Sequence, residues 1–301
     1  MIRSLVIANP FSGTSRQRLT GEEAAGLLRK MGHEVTVHLT SGPGDATVQA
    51  GRAVDRCDLV VAVGGDGTVH ETATGLVGTG CPLAVLPSGS GNDFAAGIGC
   101  ATLDEGLAAI ADGQDRALDV CALDGEVFVN SLGLLASGLV SGRAAGLWRW
   151  LGGARYTLAA VATLVNYRGQ DVVWEIDRDG GAETISGRFF FAEICNGPLT
   201  GGGFRFAPDA RYDDGLLDAC LIRPVGPMAG LKLLPAASRG ERLDHEAISV
   251  IQCPRLVFTC AEPVAVHLDG EPKVIPAGRH TIEVLSEKLK VRMMAPLPVT
   301  A

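Results

Sequence analysis

The first part of the chain alternates short apolar runs with segments whose apolar residues recur at helical spacing. Continuous apolar runs at residues 5–8, 58–63 and 82–86 predict strands. Residues 15–31 and 44–54 carry apolar positions three or four apart, which is typical of amphipathic helices. This alternation predicts an α/β domain over residues 1–118 with a mainly parallel, doubly wound sheet.

Beyond about residue 117 the apolar residues alternate with polar ones, and Gly, Pro, Asn and Asp separate the runs. Such a pattern predicts an antiparallel β-sandwich over residues 119–286, interrupted by one helix near 154–168. Residues 287–301 are left open as a segment that packs back on the first domain. The predicted strands are 126–131, 172–177, 188–195, 217–222, 255–260, 264–268 and 280–285.

Composition narrows the class of protein. The formal net charge is −8 and the chain has no Lys-rich run, which argues against a nucleic-acid binder. Its eight cysteines include no C-x-x-C pair and most lie in apolar runs, so they predict reduced thiols in a cytoplasmic protein. The longest apolar helical run, residues 156–165, is far below the ~20 residues that span a bilayer.

Three loops rich in small residues follow predicted strands, at residues 9–13, 64–68 and 87–94. Glycines let the backbone approach phosphate oxygens, and the free amides at a helix start favour anions. Asp66 within the second loop suits a hydrated Mg²⁺ or a ribose hydroxyl. The chain contains no G-x-x-x-x-G-K-[ST] motif, which excludes the P-loop class, and no G-x-G-x-x-G, which weighs against a dinucleotide oxidoreductase.

These loops carry a family resemblance. Asn9-Pro10…Gly13, Gly64-Gly65-Asp66-Gly67-Thr68-Val69-His70-Glu71 and Gly89-Ser90-Gly91-Asn92-Asp93 resemble the catalytic domain of the diacylglycerol kinase and sphingosine kinase family, closest to the bacterial soluble lipid kinases. The order of further motifs across the second half agrees with that family. These motifs are Asn130–Gly133, Asn196–Gly203, Pro208–Ala210, Asp213–Asp218 and Asp269–Glu271.

The resemblance implies an N-terminal ATP-binding domain and a C-terminal β-rich domain that completes the cleft for a lipid hydroxyl. It also implies a hydrated catalytic Mg²⁺ held by Asp66, Asn92, Asp93 and Asp119, with Asp66 and Asp93 acting in catalysis. The nucleotide contacts that it implies are Asn9, Ser12, Gly13, Thr40, Gly64, Gly65, Asp66, Gly67, Thr68, Val69, His70, Ser90 and Asn92.

Two sites of the second domain are implied in the same way. Glu271 matches the family's proposed general base, a carboxylate that accepts the proton of the incoming hydroxyl. Asp214, with the carbonyl oxygens of Arg211 and Leu216, resembles the ligand set of a second, structural Mg²⁺. Asp213 beside Asp214 leaves that assignment open by one residue.

Residues 127–170 contain four arginines and no acidic residue. With Trp148, Arg149 and Trp150, this composition fits either a peripheral membrane anchor or an ordinary amphipathic helix with its arginines in water. The resulting hypothesis is a lipid kinase that transfers phosphoryl from ATP to diacylglycerol, phosphatidylglycerol, a sphingoid base or another lipid alcohol. The alternatives are an NAD kinase and an inactive nucleotide- or lipid-binding regulator, and a homo-oligomer is left open.

Overall fold

In a computed structural model the chain forms two compact units. The first comprises Met1–Leu118 together with the segment that starts at Ser286, and the second comprises Asp119–Leu285. The structure describes residues 1–11, 19–146, 154–178, 181–226, 230 and 235–294.

The first unit is an α/β domain around one six-stranded sheet. The strand order is β2-β1-β3-β4-β18-β5, in which all neighbours are parallel except β18 and β5. Its elements are β1 (Arg3–Ala8), α1 (Gly21–Lys30), β2 (Glu34–Leu39), α2 (Asp45–Ala53), β3 (Leu59–Gly64), α3 (Asp66–Leu76), β4 (Leu83–Pro87), α4 (Asp93–Gly97), α5 (Leu103–Asp112), β5 (Gln114–Leu118) and β18 (Leu289–Met293).

Helices on both faces bury this sheet. All six residues of β3 are buried, as expected for a central parallel strand. Leu28 of α1 and Ile110 of α5 join the cluster on one face, whereas α2 and α3 pack against each other and against β1 and β3. The α1 helix begins at Gly21 rather than near residue 15 because Thr20 and Glu23 form a capping box. The predicted α/β class is confirmed.

The parallel strands β2, β1, β3 and β4 are neighbours, so their carboxyl ends lie at the same edge of the sheet. In doubly wound sheets this edge is where ligands bind. The loops that follow Ala8, Leu39, Gly64 and Pro87 therefore come together by topology alone.

The second unit contains two six-stranded antiparallel sheets. Their orders are β10-β9-β14-β17-β6-β7 and β13-β12-β11-β8-β15-β16. The elements are β6 (Cys121–Leu123), β7 (Glu126–Phe128), β8 (Ser131–Leu135), α6 (Ala136–Ala145), α7 (Ala154–Asn166), β9 (Gln170–Arg178), β10 (Gly181–Phe189), β11 (Phe191–Cys195), β12 (Leu217–Ile222), β13 (Ile248–Cys253), β14 (Arg255–Cys260), β15 (Val264–Leu268), β16 (Glu271–Ile275) and β17 (Gly278–Val284).

The two sheets enclose one apolar core, as in a β-sandwich. Trp174 is fully buried there, with the ring of Phe258 at 5.4 Å and that of Phe189 edge-on at 6.0 Å. The other face of the second sheet lies toward α6, where Gly133, Glu193 and His267 meet Ser137. The predicted antiparallel sandwich is confirmed.

Two predicted strands are interrupted for identifiable reasons. The predicted strand 126–131 divides into β7 and β8 because the amides of residues 129–131 donate to the Asp269 carboxylate. The predicted strand 188–195 divides at Phe190, where the chain passes from the first sheet into the second. Within the described ranges, no helix is long and apolar enough to cross a bilayer.

Candidate active site

The turn from β3 into α3 leads directly from the strand into the helix. Gly64 ends the strand, Gly65 is the N-cap, and Asp66 is the first helical residue, so Asp66–His70 belong to α3 rather than to a loop. A Cβ atom on Gly64 would overlap the Thr68 side chain. Glycine at position 64 therefore allows the strand to enter the helix directly.

The amino end of α3 has no side-chain cap. The first amides of a helix lack partners within it and carry the positive end of its dipole, which suits an anion. Gly65 also meets Gly89 of the next loop, since a Cβ atom on Gly65 would lie 3.0 Å from the Gly89 Cα atom. The β3–α3 and β4–α4 turns thus form one continuous glycine-lined surface.

Two carboxylates, those of Asp66 and Asp93, lie side by side at this edge. A Cβ atom on Gly91 would lie 2.6 Å from Asp66 Oδ2 and 3.8 Å from Asp93 Oδ2, so both carboxylates face the same small space. Asp66 Oδ2 accepts a hydrogen bond of 2.8 Å from the Asn92 amide. Among the described residues, none donates to Asp66 Oδ1, although this oxygen is buried.

Burial, and after it the charge of Asp93, raises the pKa of Asp66 above its usual range. A nearby cation offsets both costs, because it attracts the two carboxylates and replaces lost water. The donor set consists of hard oxygens, which Mg²⁺ prefers. Mg²⁺ is commonly bound through one or two carboxylates and keeps several of its waters, so the Asp66–Asp93 pair fits a hydrated ion.

The loop between β4 and α4 is held rigidly by Asn92. Its backbone adopts a left-handed conformation, with φ of 61°. Asn92 Oδ1 accepts from the Gly89 amide at 3.0 Å, and Asn92 Nδ2 donates to the Gly89 carbonyl at 3.1 Å. Asn92 therefore orients Asp93 and closes the loop, while the neighbouring Ser90 is exposed.

Three other predicted nucleotide contacts form hydrogen bonds within the first unit. Asn9 follows β1, and its Oδ1 accepts from the Phe11 amide at 2.8 Å. Thr40 is buried just beyond β2, and its amide donates to the Ala8 carbonyl. Val69 has a buried side chain, and its amide donates to the Gly65 carbonyl, so that amide is not available to a phosphate. Ser12 and Gly13 lie outside the described residues.

Asp119 belongs to the second unit, where it lies against the 211–216 loop. Its Oδ2 accepts from the Gly215 amide at 2.7 Å, and its own amide donates to the Tyr212 carbonyl at 2.6 Å. Burial, opposed by the Leu216 amide and reinforced by the charge of Asp119, raises the pKa of Asp214. Within the second unit, Asp119 thus contacts the loop that carries Asp214.

Glu271 begins β16 and is exposed to solvent. It follows a two-residue turn, Asp269-Gly270, in which φ is 48° and 90°. Two positive values in succession are the requirement of a type I′ hairpin, which Asp-Gly favours. The turn thus presents a carboxylate at the edge of the second sheet of the sandwich.

Both units match known protein families in sequence. Residues 3–123 match the diacylglycerol kinase catalytic domain, and residues 135–293 match the YegS C-terminal NAD kinase beta sandwich-like domain. The diacylglycerol kinase of Bacillus subtilis is 30% identical over 280 residues, covering 90% of each chain. The chain belongs to the diacylglycerol kinase and YegS-like lipid kinase family.

A further relative supports membership of this lipid kinase family, and two solved structures share the fold alone. A Chromohalobacter salexigens protein named probable lipid kinase YegS-like is 32% identical, covering 87% of this chain and 85% of its own. A Bacillus anthracis diacylglycerol kinase structure has a TM-score of 0.71 at 21% identity, covering 99% and 98%. An Archaeoglobus fulgidus NAD kinase, solved with ATP, has a TM-score of 0.51 at 15% identity, covering 97% and 93%, which is likeness of fold alone.

As a member of this family the protein is a phosphotransferase. Its sequence motifs also include Asn130 and Asn196, for which the sequence analysis predicted no individual role. Asn196 Nδ2 donates to the carbonyls of Asp119 and Val129, and Tyr212 donates its hydroxyl proton to Asn130 Oδ1 at 2.6 Å. These buried contacts fix the segment that carries Asp119, and the only sequence signal for them was the position of the two asparagines in the family's motifs.

Proposed function

We propose that this lipid kinase transfers the γ-phosphoryl group of ATP to the hydroxyl of a lipid, such as diacylglycerol or a related lipid alcohol. The observation that carries the proposal is the uncapped amino end of α3 beside the Asp66–Asp93 pair. Together they offer amides to phosphate oxygens and hard oxygens to a hydrated divalent cation. The names of the relatives support the choice of a lipid acceptor.

The nucleotide phosphates would lie on the amino end of α3, with Gly65 and Gly89 allowing the backbone close approach. Asp66 and Asp93 would hold Mg²⁺ through its waters, and Asn92 would keep Asp93 in place. Mg²⁺, when bound, neutralises charge on the phosphate oxygens. The protein's own contribution is positioning, because phosphoryl transfer requires little covalent chemistry from side chains.

Glu271 would act as the general base in the second unit. The lipid hydroxyl oxygen attacks the γ-phosphorus and its proton passes to a Glu271 carboxylate oxygen, while the bond from γ-phosphorus to the bridging oxygen of ADP breaks. An alcohol is a poor nucleophile until it loses that proton. The exposed position of Glu271 leaves its carboxylate open to an incoming hydroxyl.

A peripheral membrane contact follows from the choice of substrate. Helix α7 exposes Leu158, Val161 and Val165, which are 55%, 41% and 56% accessible and lie three and four positions apart. The acid-free stretch 127–170, with its four arginines, would favour an anionic lipid surface. Because ATP is the donor, we place the protein at the cytoplasmic side of a membrane. The predicted anchor at Trp148, Arg149 and Trp150 lies outside the described residues.

A second, structural Mg²⁺ is proposed at the 211–216 loop, with the Asp214 carboxylate and the carbonyls of Arg211 and Leu216 as ligands. Two properties of the nearby Asp218 side chain support this site. Burial raises the pKa of Asp218 to about 6, and Asp218 Oδ2 is buried with no partner among the described residues. The charge of Asp119 raises the pKa of Asp214, so a cation bound by Asp214 would relieve that repulsion.

A panel of acceptors in mixed micelles with ATP and Mg²⁺ tests the activity, with products identified by mass. Diacylglycerol, phosphatidylglycerol and a sphingoid base represent lipid acceptors, and NAD⁺ represents the rival kinase class. We expect a phosphorylated lipid and unchanged NAD⁺. Phosphorylation of NAD⁺ alone, or of nothing in the panel, contradicts the proposed function.

The catalytic Mg²⁺ is tested by stability instead of activity. Because the pKa of Asp66 is raised in the folded protein, stability falls as the pH rises from the usual carboxyl value through the raised one. In wild type without metal, the unfolding temperature should therefore drop toward neutral pH, and Mg²⁺ should restore it. Asp66→Asn should abolish both effects, and a variant that still responds to Mg²⁺ as wild type does excludes Asp66 as a ligand.

A further inference from the structure

Hydrogen bonds hold both residues of the turn before Glu271, Asp269 and Gly270. The Asp269 carboxylate, only 7% exposed, accepts the amides of Val129, Asn130 and Ser131 at 2.8–2.9 Å. The Asp269 amide donates to the Ser131 carbonyl at 2.8 Å. These four bonds hold the first residue of the turn against β8, and they leave the peptide of Gly270 to be fixed by other groups.

Two side chains hold the Gly270 peptide. Its amide donates to His267 Nδ1 at 3.2 Å, and its carbonyl accepts from Ser141 Oγ at 2.7 Å. Since the amide donates, His267 Nδ1 carries the lone pair, and the imidazole proton is on Nε2. The direction in which the chain leaves the turn, and hence the direction of Glu271, depends on this neutral tautomer.

His267 is in turn oriented by a buried polar chain on the outer face of the second sheet. His267 Nε2 lies 3.0 Å from Ser137 Oγ, which donates to Glu193 Oε2 at 2.5 Å. Glu193 is 1% exposed, and its other oxygen accepts from Thr200 Oγ1 at 2.8 Å. Ser131 Oγ lies 2.8 Å from the same Thr200 oxygen and completes the chain.

Two glycines create the room for this chain. A Cβ atom on Gly133 would overlap both His267 Nε2 and Ser137 Oγ, and one on Gly138 would overlap the backbone of Ala265. Helix α6 therefore rests directly on β15. Ser137 and Ser141, one helical turn apart, reach the imidazole and the turn from the same face of the helix.

We propose that His267 is a positioning residue for Glu271, acting through the Gly270 amide, and that Ser137 and Glu193 select its tautomer. The inference rests on the proposed role of Glu271. A buried partner on one ring nitrogen commonly fixes which nitrogen is protonated and how the ring is oriented. A displacement of a reacting group by about 1 Å can reduce turnover about 100-fold.

Two substitutions at position 267 separate the two ring nitrogens. In His267→Asn the amide oxygen replaces Nδ1 and can still accept from Gly270, whereas in His267→Gln the amide replaces Nε2 and leaves Gly270 without an acceptor. With short-chain diacylglycerol and ATP, we expect H267Q to lose about 100-fold in kcat at unchanged KM for ATP. We expect H267N to remain within about threefold of wild type.

Ser141→Ala provides a second arm that leaves the Glu193 chain untouched, and it should lower kcat about tenfold by freeing the Gly270 carbonyl. His280→Gln is the matched control, because His280 is a similarly buried histidine that contacts Asp124 at 2.6 Å in the turn between β6 and β7. It should match H267Q in thermal unfolding while retaining wild-type kcat. Equal kcat in H267N and H267Q, or an unaffected S141A, overturns the positioning role. An inactive wild type defeats the proposed function instead.

Discussion

The sequence Leu-Asp-Gly-Glu occurs twice in the second unit, at residues 123–126 and 268–271, and the two copies fold alike. In the first turn φ is 51° at Asp124 and 84° at Gly125, and in the second it is 48° at Asp269 and 90° at Gly270. In both, the Asp amide donates to a neighbouring strand, at 2.9 Å to Thr281 and at 2.8 Å to Ser131.

The surroundings of the two hairpins differ. The Asp269 carboxylate is buried and takes three backbone amides, whereas the Asp124 side chain is 47% exposed and takes one amide and His280. Glu126 forms an ion pair with Lys273, and Glu271 forms none with any described residue. The same four residues thus yield one ordinary turn and one candidate catalytic turn, so the motif sets the backbone and the environment sets the role.

The largest expected difference between the hairpins is in turnover. Glu271→Gln keeps the shape of the side chain but cannot accept a proton, so kcat should fall by about 10²–10⁴-fold. Glu126→Gln, the matched change at the other turn, should leave kcat near wild type. Steady-state kinetics on a lipid alcohol, with nucleotide binding measured separately, makes the comparison. Equal kcat in the two variants removes Glu271 as the base.

The next difference is in stability. Asp269→Asn removes the charge that three buried amides share and leaves some of them poorly satisfied, which should cost about 2–3 kcal/mol. Asp124→Asn should cost at most about 1 kcal/mol, because solvent screens a half-exposed carboxylate. Urea unfolding of the two variants measures both costs. A similar loss of unfolding free energy in each variant contradicts the distinction between a buried, hydrogen-bonded carboxylate and a half-exposed one.

The smallest expected difference between the hairpins is that caused by replacing the glycine of each turn with alanine. A Cβ atom on Gly125 or Gly270 meets nothing within 4 Å, so alanine at either position is opposed by backbone conformation alone. Each substitution should cost about 1–2 kcal/mol of unfolding free energy. Only Gly270→Ala should reduce kcat, because only that turn orients Glu271. Loss of turnover in Gly125→Ala as well indicates a general effect of destabilisation.

Much of the first unit could be predicted because its strands are continuous apolar runs and its helices have clear periodicity. The helical start at Asp66 was harder to predict, since Gly65 caps the helix without any side-chain signal. Helix α6 was missed because its small residues, including Gly138, serve close packing on β15 and weaken the amphipathic pattern. Residues 181–187 of β10 were not predicted as a strand because they lie at a sheet edge and none of these seven residues is buried.

Part of the candidate site could also be predicted from the sequence, and part could not. Converging loops could be predicted from three strand ends, because parallel topology brings such ends together. The sequence does not distinguish Asp269-Gly270-Glu271 from Asp124-Gly125-Glu126, and the choice of Glu271 came from family resemblance. The chain from Glu193 to His267 joins residues 56 to 130 positions apart, so no local pattern could reveal it.

The central claim is transfer of the γ-phosphoryl group of ATP to a lipid hydroxyl. The most direct measurement uses ATP labelled with ¹⁸O at the non-bridging γ-oxygens, with diacylglycerol micelles and Mg²⁺, and follows the label by mass spectrometry. We predict that the label appears in the phosphate of the lipid product, joined through the lipid's own oxygen. Label found only in inorganic phosphate, with the lipid unchanged, would contradict it.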